Sequence, residues 1–418
     1  MVAQQSASGF PEIRVPAALT LAALVLGFVA GTLLRGTAAE ASVLAIAKPA
    51  GTLWLRALQL TILPLVIGLV YSGISQTLAA ASGGKTARRA VTLFCLILIA
   101  SGTMSALLST TLLGVFPVPA SAVAALSGGA ANAGTVPGVA QILTAMMPDN
   151  IFAAAAAGAM LPMVLFVALF ALAATRLGEA PRRTLGEVFQ GLAGAMMVIV
   201  GWVLMLAPIG VFGLAMALGA KIGGDAVGAL AHYILVVSAA GLVMLIAGFV
   251  LAVTLGGQRL MDFVRAMLPV HAVAVSTQSS LACLPAMLAA SRKLGVREAT
   301  ADFVLPLAVA IFRATSPAMN VAVAIYAAHL TGTTLTPVAL AAGVVVAFLV
   351  SLSSVSLPGT ISFVVSVGPI AMAMGVPVAP LGLLVAVEML PDLMRTLGNA
   401  TMDVAVTAAV DRKAQSAA

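Results

Sequence analysis

Residues Glu388 to Asp403 read EMLPDLMRTLGNATMD. Glu388, Asp392, Arg395, Asn399 and Asp403 follow one another at spacings of four, three, four and four. At roughly 100° per residue these five side chains share one helical face, within an arc of about 80°. LGLLVAV precedes the stretch and VAVTAAV follows it, so the whole segment is long and apolar enough to cross a bilayer. Three acids and an arginine are expensive in a membrane helix. They face a protein interior or a water-filled cavity, and there they mark an ion or substrate site. The plainer alternative is a buried salt-bridge cluster that only joins helices, but five polar residues on one face exceed what that task needs.

The rest of the chain fits a membrane setting. Of 418 residues, 62% are hydrophobic and 8% charged, and the mean hydropathy is +1.16. No soluble globular domain has this composition, and a polytopic, all-α membrane protein does. The net charge of +7 is not a nucleic-acid signal, because the basic residues are dealt out in twos and threes between apolar runs. Cys95 and Cys283 lie far apart in apolar surroundings and suggest neither a disulfide framework nor a metal site. The N-terminal MVAQQSASGFPEIR is polar and unlike a signal peptide, so the first apolar run is expected to stay as a membrane helix.

Apolar runs fall near 15–34, 50–79, 90–115, 151–175, 187–219 and 226–256, each bounded by Gly, Pro or charge clusters. Lys85, Arg88 and Arg89 follow the second run, Arg176, Arg182 and Arg183 the fourth, and Arg259 and Arg265 the sixth. The alternate gaps hold fewer basic residues, which places both termini in the cytoplasm. The uncharged stretch Gly114 to Gly138 reads as an external loop.

After residue 260 the pattern changes. STQSSLACLP interrupts the segment 266–291, and SLSSVSLPG interrupts 336–385. Basic residues flank the first segment on both sides (Arg265, then Arg292, Lys293 and Arg297), so it enters and returns as a re-entrant hairpin. Irregular backbone at membrane depth is tolerated where it lines a cavity. Two interrupted segments in corresponding places point to a transporter's binding site. Two ordinary Pro-kinked helices are the alternative. Between them, 299–330 is interrupted by FRATSP, with Arg313 in its middle.

These residues resemble the dicarboxylate/amino acid:cation symporter family, with its glutamate-transporter fold. The family pattern in the last helix runs Asp, three residues, Asp-x-x-Arg-Thr, two residues, Asn, three residues, Asp. Here it is Glu388, Asp392, Arg395, Thr396, Asn399 and Asp403, in register without a gap. The serine-rich turn ending in Leu-Pro corresponds to Ser279 through Pro285, and the Gly-Val-Pro-Gly turn to Ser356, Leu357, Pro358 and Gly359. The resemblance in motifs is confined to 265–411.

The resemblance implies eight transmembrane helices plus two re-entrant helical hairpins. Residues 1–259 are then mainly scaffold and oligomer contacts, with parts of the third helix contributing to transport. Residues 260–418 form the carrier: hairpin one about 262–295, helix seven about 298–330, hairpin two about 336–375 and helix eight about 376–411. It also implies a homotrimer in the plasma (inner) membrane. The function implied is secondary active symport of an acidic amino acid such as aspartate or glutamate by alternating access. A C4-dicarboxylate or neutral amino acid carrier of the same fold remains open, as does a channel. An enzyme would need a nucleophile, base or metal set beyond this cluster.

Ser279 and Ser280, with the backbone around Ser356, are assigned to the substrate's main carboxylate, and the resemblance implies that Asn399 also holds that end; Ser316 and Thr396 are further substrate-binding candidates. Neutral donors and helix N-termini suit that task. Asp392 aligns with the residue that binds an amino group, and Arg395 with the one that forks onto a side-chain carboxylate. Asp403 aligns with a sodium ligand, joined by Asn399, Ser351, Ser353 and Ser354. The family's Asn-Met-Asp-Gly-Thr reads Phe312, Arg313, Ala314, Thr315 and Ser316 here. Its sodium-binding Asp is thus replaced by Ala314, and a cation stands beside it at Arg313. Altered or reduced sodium coupling follows, with Glu388 a candidate for proton coupling. No cofactor is expected beyond Na+ or H+ as coupling ion. His232 and His271 read as structural histidines or proton carriers.

Overall fold

The computed structural model describes residues 17–120, 123, 147–222, 225–352 and 359–415, and every structural statement below refers to these. Most of the loop expected between Gly114 and Gly138 lies outside them, as do Ser353, Ser354 and Ser356. The described chain is helical. Six helical spans are long and apolar enough to cross a membrane.

α1 (Ala17–Leu34), α2 (Glu40–Ala81), α3 (Lys85–Val115), α4 (Ile151–Ala156), α5 (Met160–Ala174), α6 (Glu179–Met205), α7 (Ala207–Ile222) and α8 (Asp225–Thr254) occupy the first part. The fourth run is split between α4 and α5, where Gly158 takes a left-handed φ of 71° that costs glycine little. The fifth run is also split, at Leu206. Pro208 stands in the first turn of α7, where its missing N–H costs no helical bond.

α1 lies on α7, and α2 lies on α5, α6 and α7. Glycines set the first of these contacts. A Cβ at Gly27 or Gly31 would run into the α7 backbone at Phe212 and Met216, and one at Gly219 into Phe28 of α1. Small residues let two apolar helices approach closely where lipid offers no hydrophobic drive between them. Trp54 of α2 donates its indole N–H to the Val203 carbonyl of α6 at 2.9 Å.

The second part comprises α9 (Leu260–Thr277), α10 (Ser280–Lys293), α11 (Glu298–Ile311), α12 (Thr315–Thr331), α13 (Pro337–Ser351), α14 (Gly359–Ala373), α15 (Leu381–Leu384) and α16 (Met389–Gln415). α9 and α10 pack on each other, as do α13 and α14. Gln278 turns the chain between α9 and α10 with φ 50°, the one non-glycine residue with positive φ among those described. Ser279 then caps α10, accepting from the Ala282 N–H. The interruption read from STQSSLACLP therefore falls at 278–279. α12 is the innermost element, with every side chain from Thr315 to Ala328 buried. α3 and α8 from the first part pack against α12 and α16.

The stretch Glu388–Asp403 is not one continuous helix. α16 begins at Met389, and residues 385–388 form turns. The Glu388 carbonyl accepts the first helical bond, from Asp392 N at 3.0 Å. Pro391 follows in the first turn, where no N–H is missed. Glu388 thus stands at the helix entry, with the other four acid, arginine and amide groups inside the helix.

Candidate functional site

The site forms where α16 faces the break between α11 and α12. Phe312, Arg313 and Ala314 lie between those two helices. The Phe312 ring stacks on Phe94 of α3, with centroids 4.4 Å apart. Ser101 of α3 donates to the Ala314 carbonyl at 2.6 Å, and Ser105 donates to Ala318 O. α3 thus satisfies backbone that the helix break exposes, as buried carbonyls require.

Asn399 holds the other side of the break. Its Oδ1 accepts from Thr315 N at 2.9 Å and from Thr315 Oγ1 at 2.7 Å, so the carboxamide oxygen caps α12. The chain packs tightly here. A Cβ on Gly398 would overlap the Thr315 methyl.

Arg395 is the hub. Its Nη2 donates to Glu388 Oε1 at 2.5 Å and its Nη1 to Asn320 Oδ1 at 2.8 Å. Its Nε lies 3.1 Å from Asp392 Oδ1, close enough for an ion pair but off the line of a hydrogen bond. Glu388 is completed by Tyr233 of α8, whose hydroxyl donates to Oε2 at 2.9 Å. All of these ionised groups are buried. A buried ion pair is tolerated when its remaining lone pairs are satisfied, and both Glu388 oxygens are. Thr396 Oγ1 donates to the Asp392 carbonyl at 3.1 Å, a bond within its own helix.

Two expected residues stand apart from this hub. Asp403 is 1% exposed, yet neither carboxylate oxygen has a hydrogen-bond donor among the described residues. Arg313 is 7% exposed, and no carboxylate lies within 4.0 Å of it. Its Nε is also without a partner, as are Ser316 Oγ and Asn320 Nδ2. Ser316 and Asn320 lie four residues apart on α12, and Arg313 stands in the break three residues before Ser316. Unsatisfied polar atoms at such depth are rare in native proteins.

The remaining expected residues divide. Ser280 is buried at the start of α10, and Ser279 beside it is half-buried. Ser351 is buried at the end of α13, while Ser354 and Ser356 lie outside the described residues. His232 places Nδ1 3.2 Å from Tyr326 Oη and Nε2 3.1 Å from Phe116 O. His271 Nε2 lies 2.8 Å from Thr401 Oγ1.

Sequence reasoning passed over Tyr233, Asn320, Thr315, Ser101 and Ser105. Two signals were there to be read. Ser101, Ser105 and Ser109 form a polar stripe at four-residue spacing in an otherwise apolar helix, and Asn320 is a lone amide in an apolar stretch. Tyr233 gave none, since a tyrosine among apolar residues reads as packing.

The Sodium:dicarboxylate symporter family matches residues 17–413. The chain is 26% identical over 387 residues to a proton/sodium-glutamate symport protein of Bacillus subtilis, covering 90% of this chain and 88% of the relative. It is 27% identical over 391 residues to the proton/glutamate-aspartate symporter of Escherichia coli, covering 91% and 88%. It is 25% identical over 397 residues to C4-dicarboxylate transport protein 1 of Pseudomonas aeruginosa, covering 93% and 86%. A match across nearly the whole chain makes this protein a member of the Sodium:dicarboxylate symporter family: a multi-pass membrane symporter, not an enzyme.

Proposed function

We propose that the protein carries an acidic amino acid, aspartate or glutamate, across the inner membrane by alternating access. The observation that carries this reading is the buried Glu388–Arg395–Asp392 cluster facing the α11–α12 break. An acidic amino acid offers an ammonium for Asp392 and a carboxylate for the planar guanidinium of Arg395. The unpaired donors on Ser316 and Asn320 suit the same carboxylates. Ser279, Ser280 and the turn around Ser356 complete the pocket from the two hairpins, with Thr396 and Asn399 holding the α16 side. The names of the Bacillus and Escherichia relatives support this substrate class.

The proposed architecture is eight transmembrane helices with two re-entrant hairpins, α9–α10 and α13–α14. The carrier is residues 260–418, which move against a trimeric scaffold formed mainly by 1–259. The packing of α3 and α8 on α12 and α16 supports including both with the moving part. Both termini face the cytoplasm in this scheme. Coupling to sodium is reduced or altered, with Asp403, Asn399, Ser351 and Ser354 as the proposed oxygen donors to a cation and Glu388 as a proton site.

A second reading, a C4-dicarboxylate carrier, is favoured by one observation. Asp392 already lies 3.1 Å from Arg395, so it is not a free seat for an ammonium. Thermal-shift and labelled-uptake measurements with aspartate, glutamate and succinate separate the two. Stabilisation and saturable uptake with the amino acids, at concentrations where succinate does nothing, support the first. Preference for succinate overturns it.

A further inference from the structure

The charges buried in the transport site do not balance. Besides Asp411, which pairs with Arg297 at the far end of α16, the buried ionisable side chains among the described residues are Glu388, Asp392, Asp403, Arg313 and Arg395. Arg395 is engaged by Glu388 and Asp392, so that triad carries one formal negative charge in excess. Asp403 adds a second, and it has no donor of its own. A carboxylate held this deep needs a compensating cation or a proton.

Arg313 supplies a positive charge in the same place. It lies at the α11–α12 break, and the ionised groups near enough to act on it are Asp392, Arg395 and Asp403. No carboxylate contacts it, so it is not one half of a closed salt bridge. A guanidinium keeps its proton under all ordinary conditions. Its charge is therefore permanent, and it belongs to the protein rather than to the solvent. With it the five groups sum to one formal negative charge; without it they would sum to two.

We infer that Arg313 is a fixed cation built into the transport site, which takes over the charge of one soluble coupling ion. This rests on the reading of the chain as a coupled carrier of small anions. It goes beyond that reading by assigning one of the site's compensating charges to the protein itself.

The test uses the purified full-length protein. Aspartate and succinate affinities are measured while sodium is exchanged for choline at constant ionic strength, and again across pH at fixed sodium. In Arg313→Met a tenfold rise in sodium or in proton concentration improves affinity by about tenfold more than it does in the wild type, because one further cation is then needed. Arg313→Lys keeps the wild-type dependence. A steeper response to sodium identifies sodium as the ion replaced, and a steeper response to pH identifies the proton. Equal responses in wild type and Arg313→Met overturn the fixed cation.

Two further arms keep the question open to failure. If Arg313→Met does not fold, Arg313→Met/Asp403→Asn restores the formal charge and is expected to fold and to bind with the wild-type cation dependence; a double variant as unstable as the single one overturns the inference. Thermal unfolding without substrate, in choline and in sodium, reads the charge balance by itself. Arg313→Met gains a sodium-dependent rise in Tm larger than that of the wild type. That arm stands even if none of the acids binds, an outcome that would defeat the proposed substrate and leave the charge inference to be decided by Tm; equal sodium responses there overturn it.

Discussion

Glu388 and Arg395 close a 2.5 Å ion pair across the entry of α16, with their side chains 0% and 3% exposed. One residue lies outside the helix and the other two turns inside it, so the pair fixes the angle at which α16 leaves the preceding turns. Arg395→Ala leaves Glu388 and Asp392 buried without their cation, and a loss of about 3–5 kcal/mol of stability is expected. Arg395→Lys recovers only part of this, because an ammonium cannot reach Glu388, Asp392 and Asn320 as a planar fork does. Thermal unfolding of the purified variants checks the order wild type, Lys, Ala. Where Arg395→Ala is folded, its aspartate affinity is expected to fall by about 2–5 kcal/mol, as for a desolvated charge pair.

Asp392→Ala separates the two substrate readings. Loss of the carboxylate is expected to weaken aspartate and glutamate more than succinate. Competition of each against labelled aspartate measures it. If the wild type already binds succinate as well as aspartate, Asp392 does not serve an amino group.

Tyr233→Phe removes the only hydroxyl that donates to Glu388 Oε2 among the described residues. A buried carboxylate oxygen left without a donor costs about 1–3 kcal/mol. The expected result is a lower Tm with the substrate preference unchanged. An unaltered Tm would mean that Glu388 finds another donor.

The tip between α9 and α10 is open to a direct accessibility test. Ser279 is half-buried and Ser280 buried, so position 279 is the one a reagent reaches. In a background with Cys95 and Cys283 replaced, Ser279→Cys is expected to react with a small thiol reagent and to be protected by aspartate. Equal labelling with and without aspartate would place the tip outside the binding site.

Gly398→Ala probes the packing that aligns Asn399. The added methyl overlaps the Thr315 side chain, and overpacking of this kind costs about 1–3 kcal/mol. Because Thr315 is the residue Asn399 caps, both Tm and substrate affinity are expected to drop, whereas a methyl placed at exposed Gly191, within α6, lowers neither.

The sequence by itself determined the membrane setting, the helical class and the polar residues that α16 carries into the candidate site. Apolar runs and scarce charge leave no other class, and five polar residues at helical spacing in a greasy segment have few places to go. The interruptions at 278–279 and 312–314 were also legible, because serine-rich or charged breaks in apolar runs stand out locally. What tertiary structure decided were the pairings. No periodicity says that Arg395 spends its donors on Glu388, Asp392 and Asn320, since Asn320 reaches it from another helix 75 residues away. Nor could spacing show that Glu388 sits at the entry of α16 rather than within it, that Tyr233 completes it, or that Asn399 gives its oxygen to Thr315. Arg313 was visible as an oddity in the chain. That it lies buried with Asp403 near by and no carboxylate in contact is a relation between helices, because the field at a charge depends on what the fold brings beside it and not on its neighbours in sequence.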